Sequence, residues 1–147
     1  MNSSLVYLTQ TDTTVGFLSK DSAKLSRIKQ RSSTQKVLQV VDSFRTLSKY
    51  TRVPKRFAKM VRRAKQTTFI YPNSLSFRVV DRNSLHHNFI VKHKIIYSTS
   101  ANKTKQKYDK EFAIQNSDII VYNTKEFFEQ NSSSIYKLGR YKLKKIR

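Results

Sequence analysis

Tyr97-Ser98-Thr99-Ser100-Ala101-Asn102 ends a short apolar run, Ile95-Ile96-Tyr97, with three hydroxyls and an amide in five residues. The run reads as the end of a buried strand. Small polar side chains at a strand's carboxyl end favour a turn, because they hydrogen-bond nearby backbone. They also leave room for a ligand and offer it donors and acceptors. In open α/β sheets that end of the strands is where ligands bind. Two readings therefore stand together, a plain Ser/Asn turn and the lip of a binding site.

Upstream of this stretch, strand-like and helix-like segments alternate. Leu5–Leu8 reads as a strand and runs into Thr9-Gln10-Thr11-Asp12-Thr13-Thr14-Val15-Gly16, where Gly16 marks a tight turn or a close backbone approach. Asp21 or Ser22 caps a helix reaching about Ile28. Lys29-Gln30-Arg31 closes that helix with two cations, which either reach together for one anion or complement the helix dipole. Lys36–Val41 reads as a strand, and Asp42–Tyr50 as a short helix capped by Asp42 or Ser43. In Thr51–Lys65, Pro54 suits a first helical turn. Phe57, Met60, Val61 and Ala64 then recur at helical spacing as a buried stripe. Lys55, Lys59, Arg62 and Arg63 fall on another face, which lies along a phosphate backbone or faces water.

Thr67–Tyr71 and Leu75–Val80, the latter carrying Arg78, read as strands separated by Pro72-Asn73. Ser84–Lys94 reads as a helix with Leu85, Phe89 and Ile90 inward. Its His86, His87 and His93 lack the spacing and the neighbouring carboxylate of a metal site, and read as surface histidines. Downstream come a basic loop over Lys103–Lys107, a helix over Asp109–Gln115 and a strand over Asp118–Tyr122. A helical turn over Lys125–Glu129 and the polar loop Asn131–Ser134 follow. Ile135–Leu138, a turn at Gly139 and a last strand over Tyr141–Ile146 complete the pattern. Interleaved strands and helices with no repeat and no linker predict one α/β domain over residues 1–147, a twisted mixed sheet with flanking helices.

Composition narrows the function classes. The 30 Lys and Arg against 9 Asp and Glu give a net charge of +21, a surface that attracts polyanions. There is no cysteine, which removes disulfides, thiol catalysis and Cys-based metal sites. No apolar run approaches the ~20 residues of a membrane span, and Met1–Ser4 does not open like a signal peptide. The expectation is a cytoplasmic protein that does not engage membranes. No Walker loop, Rossmann glycine pattern, Ser/His/Asp set or paired carboxylates occur. Four polar segments remain: Thr9–Gly16, Lys29–Arg31, Ser98–Asn102 and Ser132–Ser134. If they converge, they form a pocket of cations, hydroxyls and an amide. Such a pocket suits a nucleoside triphosphate and a small polar substrate.

In this order, Thr-Asp-Thr…Gly, Lys-x-Arg, Ser-Thr-Ser-Ala-Asn and Ser-Ser-Ile resemble the YrdC/YciO-like threonylcarbamoyl-AMP synthases, from about Leu8 to Arg147. Thr68–Pro72 and Arg78 also resemble the family's central strands. The resemblance implies a YrdC-like twisted α/β fold around a concave basic cavity. It implies a nucleotidyltransferase that makes threonylcarbamoyl-AMP and pyrophosphate from L-threonine, bicarbonate and ATP with Mg2+. The product serves tRNA threonylcarbamoyl adenosine modification through a downstream threonylcarbamoyl transferase complex, and some members bind double-stranded RNA.

Carried onto this chain, the resemblance has Lys29 and Arg31 hold the ATP phosphates. Ser100 and Asn102 bind nucleotide phosphate and sugar beside Ser98. Thr11 and Thr13 line the threonine and nucleotide site, Ser133 contacts substrate, and Arg147 reaches phosphate. The chain departs from the family pattern at Val15, Ser32 and Ala64-Lys65-Gln66, and lacks an Asp-Gly-Gly segment after Tyr122. A non-catalytic module on the same fold is the alternative, binding double-stranded RNA or tRNA through Lys55, Lys59, Arg62 and Arg63.

Overall fold

The computed structural model describes residues 4–32, 34–122 and 126–147. Its first unit is a hairpin. Strand β1 (Val6–Gln10) pairs antiparallel with β2 (Val15–Ser19), from Val6 opposite Ser19 to Gln10 opposite Val15. The threonine-rich stretch is the four-residue loop between them. Sequence reading missed β2, because Gly16 and Ser19 interrupt its apolar signal. Gly16 serves close approach here: a Cβ would lie 3.0 Å from Thr11 Cγ2 and 3.1 Å from the Thr99 carbonyl oxygen.

Among the described residues seven further strands join the hairpin in one mixed sheet: β3 (Gln39–Val41), β4 (Thr67–Ile70), β5 (Ser76–Val79), β6 (Ile95–Ser100), β7 (Ile119–Val121), β8 (Ser134–Leu138) and β9 (Leu143–Lys145). Their order is β7-β1-β2-β6-β3-β5-β4-β8-β9. The β1–β7, β3–β5 and β4–β8 pairs are parallel and the rest antiparallel. Among the described residues five helices flank it: α1 (Ser22–Ile28), α2 (Phe44–Tyr50), α3 (Ala58–Arg63), α4 (Leu85–His93) and α5 (Lys110–Gln115). A 3-10 turn over Lys55–Phe57 leads into α3. The caps fall on Asp21, whose carboxylate accepts from Ala23 and Lys24 amides, and on Ser43, which accepts from Thr46.

Strand alternation sorts the side chains into two faces. One face carries Val6, Leu8, Val15 and Phe17 against Leu25 of α1 and Ala113 of α5. Further along it carries Val41, Phe69 and Phe77 against Leu47 of α2 and Val61 of α3. Each such side chain stabilises the fold by about 1.5–3 kcal/mol on burial. On the opposite face Leu18, Val40 and Ile96 pack against Ile90 of α4. Alternation places Gly16, Ser98, Ser100, Thr68 and Arg78 on this second face too. That part of the sheet lines a cavity instead of a core.

Several expectations are corrected. The strand expected from Lys36 begins at Gln39, and Lys36 is exposed. Strand β6 runs on through Ser100, so the three hydroxyls lie on the strand and the chain bends only after them. Residues 126–130 form no helix, and Lys125 lies outside the described residues. Leu85 is 62% exposed, because the buried set of α4 is His86 and Ile90, four residues apart, with Phe89 half-buried beside them. His86 is thus a buried histidine stacked on Phe89, with ring centroids 6.0 Å apart, and His87 and His93 are half-buried. Burial first, then Arg78 and His87, hold the His86 pKa down to about 3, so its ring is neutral.

Candidate functional site

The end of α1 separates the two cations of Lys29-Gln30-Arg31. The Arg31 amide donates to the Ser26 carbonyl at 2.9 Å and the Gln30 amide to Arg27 at 3.1 Å, with Gln30 at φ 54°. This is a left-handed helix closure built on a residue other than glycine. It turns Lys29 inward and leaves Arg31 half-buried. Lys29 is 3% exposed, and its ammonium donates to the Ser100 carbonyl (3.0 Å), Ser100 Oγ (3.3 Å), the Asn102 carbonyl (2.6 Å) and Asn102 Oδ1 (3.0 Å). Thr104 Oγ1 donates to the Lys29 carbonyl at 2.7 Å, so the chain after β6 is tied to α1 from both sides. The Lys103–Lys107 loop is therefore a hydrogen-bonded turn. Burial, and secondly repulsion from Arg31, lower the Lys29 pKa to about 8.

The cavity on the open face has a volume of ≈ 380 Å³. Three guanidinium groups line it, from Arg31, Arg78 and Arg147, with Lys36 among its other lining residues. The side chain of Arg31 has no hydrogen bond or ion pair among the described residues. Arg78 is 3% exposed, with Nη2 3.4 Å from Asp12 Oδ1, and Asp12 is itself buried. Burial lowers the Arg78 pKa, Asp12 opposes that shift and Arg147 adds to it. Among the described residues Arg78 Nε and both Asp12 oxygens have no hydrogen-bond partner. Arg147 donates from Nε (3.0 Å) and Nη2 (2.8 Å) to the Ser133 carbonyl, whose own hydroxyl lies 2.8 Å from Thr68 Oγ1. Thr11 and Thr13 bring their hydroxyls within 3.1 Å of each other in the β1–β2 loop. An adjoining recess of ≈ 170 Å³ shares Thr14, Ser100, Ser132 and Arg147 with the cavity and adds Asn102, Tyr108 and Glu129.

The four polar segments expected to converge do so. Thr11, Thr13, Arg31, Ser98, Ser100, Ser133 and Arg147 line the cavity, and Asn102 lines the recess. Lys29 lines neither and sits behind the wall, holding Ser100 and Asn102. Lys55, Lys59, Arg62 and Arg63 are exposed elsewhere. Lys55 lines a separate groove, and the Arg62 guanidinium lies 4.6 Å from the Phe44 ring centroid. Asp12 was missed as a partner, and Arg78 as a site residue. The signal for Arg78 was a lone charge in the alternating strand Ser76-Phe77-Arg78-Val79, placed opposite the two apolar side chains. For Asp12 it was a carboxylate set among threonines. Joined recesses with three guanidiniums and a hydroxyl-rich wall suit a multiply charged, oxygen-rich anion with a polar body.

No family model and no curated protein matches this sequence. Solved structures do match. Sua5 from P. abyssi superposes with a TM-score of 0.78 at 13% identity, over 97% of this chain and 52% of that one. A second Sua5 structure from P. abyssi, complexed with L-threonine, gives 0.76 at 13%, over 97% and 50%. YciO from E. coli gives 0.76 at 15%, over 98% and 82%. MTH1692 from Methanobacterium thermoautotrophicum gives 0.71 at 17%, over 97% and 79%. The fold is YrdC-like. This YrdC-like domain spans about half the length of the Sua5 chains it matches. The cavity thus lies on the open sheet face of a YrdC-like fold whose sequence shares 13–17% identity with these structures. Among the described residues no helix is long and apolar enough to cross a membrane.

Proposed function

We propose that this YrdC-like domain is a threonylcarbamoyl-AMP synthase, a nucleotidyltransferase acting on L-threonine, bicarbonate and ATP. One observation carries the reading: Arg31, Arg78 and Arg147 open on a single cavity whose remaining polar wall is largely hydroxyl. Arg31 and Arg147 suit the triphosphate, since guanidinium forks match phosphate oxygens and offset charge that develops on transfer. Arg78, buried with Nε unpaired among the described residues, suits the carboxylate of threonine, with Thr11, Thr13, Ser98 and Ser133 around its polar end. The complex of P. abyssi Sua5 with L-threonine supports an amino-acid ligand on this fold. Ser100 and Asn102, fixed by Lys29, border the recess where the nucleoside would lie.

The chemistry rests on positioning. The threonine amine adds to the bicarbonate carbon and water leaves, giving the carbamate. A carbamate oxygen then attacks the α-phosphorus of ATP, and pyrophosphate departs with the electrons of the broken P–O bond. Neither step demands a strong protein base when the reactants are held in contact. Among the described residues no three metal-ligating side chains cluster. In this reading Mg2+ would be held chiefly by the triphosphate's own oxygens and water. The product would pass to a threonylcarbamoyl transferase complex for tRNA modification, in the cytoplasm. The decisive assay is pyrophosphate release from ATP that depends on both threonine and bicarbonate. The +21 charge favours a second reading, an RNA-binding module on the same fold. RNA binding without any such release would replace the first reading with the second.

A further inference from the structure

We propose a second binding site, for single-stranded RNA, in a groove separate from the catalytic cavity and independent of the reaction proposed for it. The groove has a volume of ≈ 670 Å³ and forms where the α2–α3 connection meets the β4–β5 and β8–β9 turns. Four cations line it, Arg52, Lys55, Arg56 and Arg140, with no carboxylate among its lining residues. Among the described residues none of the four has an ion pair, so no described carboxylate offsets their charge at short range. Between them stands the Tyr141 ring, 65% exposed, with the Arg140 guanidinium 5.4 Å from its centroid. An exposed ring among cations is what a splayed nucleotide chain requires: a base stacks on the ring while its phosphates meet arginine. A duplex keeps its base faces covered and has none to offer.

The walls are set in advance. Both prolines of the chain, Pro54 and Pro72, line the groove and restrict its backbone. Asn73 Nδ2 donates to Thr51 Oγ1 at 3.1 Å and ties the two walls together. The groove also borders the catalytic cavity. Lys36, which lines that cavity, donates to the Asn73 carbonyl at 3.4 Å, so the β4–β5 turn is their shared partition.

The test is fluorescence anisotropy on the whole chain, with a labelled single-stranded RNA of about ten nucleotides. The triple variant Arg52→Gln, Arg56→Gln, Arg140→Gln should weaken binding at least about tenfold near 0.1 M salt. It should also lower the slope of log affinity against log salt by about 2. Tyr141→Ala should weaken binding by about fivefold or more, and Tyr141→Phe should restore it. Removing the same charge on another loop, through Lys103→Gln, Lys105→Gln and Lys107→Gln, should cost little. Equal losses from the two triple variants would reduce the site to diffuse charge. An unchanged Tyr141→Ala affinity would remove the stacking platform. Equally tight binding of a duplex, or equal competition by phosphatidylserine vesicles or polyglutamate, would assign the groove to a different polyanion. ATP binding by the groove variants should match the parent protein. The groove can therefore fail while pyrophosphate release persists, and the reverse.

Discussion

Lys29 and Arg31, two residues apart, do different work. Arg31 has a guanidinium on the cavity with no hydrogen bond or ion pair among the described residues, and Lys29 has its ammonium filled by Ser100 and Asn102. Arg31→Ala should therefore weaken ATP binding by about 1.5–3 kcal/mol with little change in melting temperature, by calorimetry and thermal melts on one preparation. Lys29→Met should lower the melting temperature first, because the half-buried carbonyls of Ser100 and Asn102 lose their donor, at about 1 kcal/mol each. The lowered Lys29 pKa gives a pH signature. Above about 8 the folded protein sheds a proton that the unfolded chain keeps up to its ordinary 10.5. In that window the unfolded state binds more protons, so this group's contribution to stability rises with pH. Its grip on two carbonyls loosens over the same range. ATP affinity should thus fall as pH passes about 8 while no stability is lost through Lys29, and Lys29→Met should abolish that inflection. The buried Asp12–Arg78 pair makes a third expectation. Asp12→Asn leaves a buried guanidinium uncompensated and should cost about 3–5 kcal/mol in denaturant unfolding.

At the scale of elements, the β1–β2 hairpin shows what the sequence revealed and what it hid. β1, α1 with its Asp21 cap, α2 with Ser43, α3 and α5 were legible, because caps and apolar spacing are local signals. β2 was not, since its Gly16 is set by Thr11 and the Thr99 carbonyl across the sheet, contacts that no local pattern encodes. The outward turn of Leu85 and the burial of His86 fail to show in sequence for the same reason: the partner face decides them. Gly16→Ala tests the hairpin. The new methyl must push Thr11 or strand β6 by a few tenths of an ångström, so unfolding experiments should show a loss of about 1–3 kcal/mol. Threonine affinity should drop with it, because Thr11 anchors the loop that carries Thr13.

Taken whole, the molecule made its cavity partly legible. The convergence of four hydroxyl and cation segments could be expected from their order. Which of them faces the ligand could not, because Lys29 and Arg31 are alike in composition and differ only through the φ 54° turn at Gln30. Nor could the Asp12–Arg78 contact, which spans 66 residues of sequence.

That last feature also governs how the protein acquires its competence. The cavity closes only when the loop after β1 meets β5, and when Arg147 lies on Ser133 beside β4. The Asp12–Arg78 contact and the Thr68–Ser133 hydroxyl pair, 65 residues apart, close large loops, and their entropy delays them relative to the helices and the first hairpin. In stopped-flow refolding, helical ellipticity should return early. The capacity to bind nucleotide should return only in the slowest phase, and a ligand present from the start should leave the early phases unchanged. Recovery of binding together with the first ellipticity would mean that the cavity is prefolded in a local unit. Its late arrival would make this domain a slow assembler, whose nascent chains carry an unquenched positive face long before they can use it.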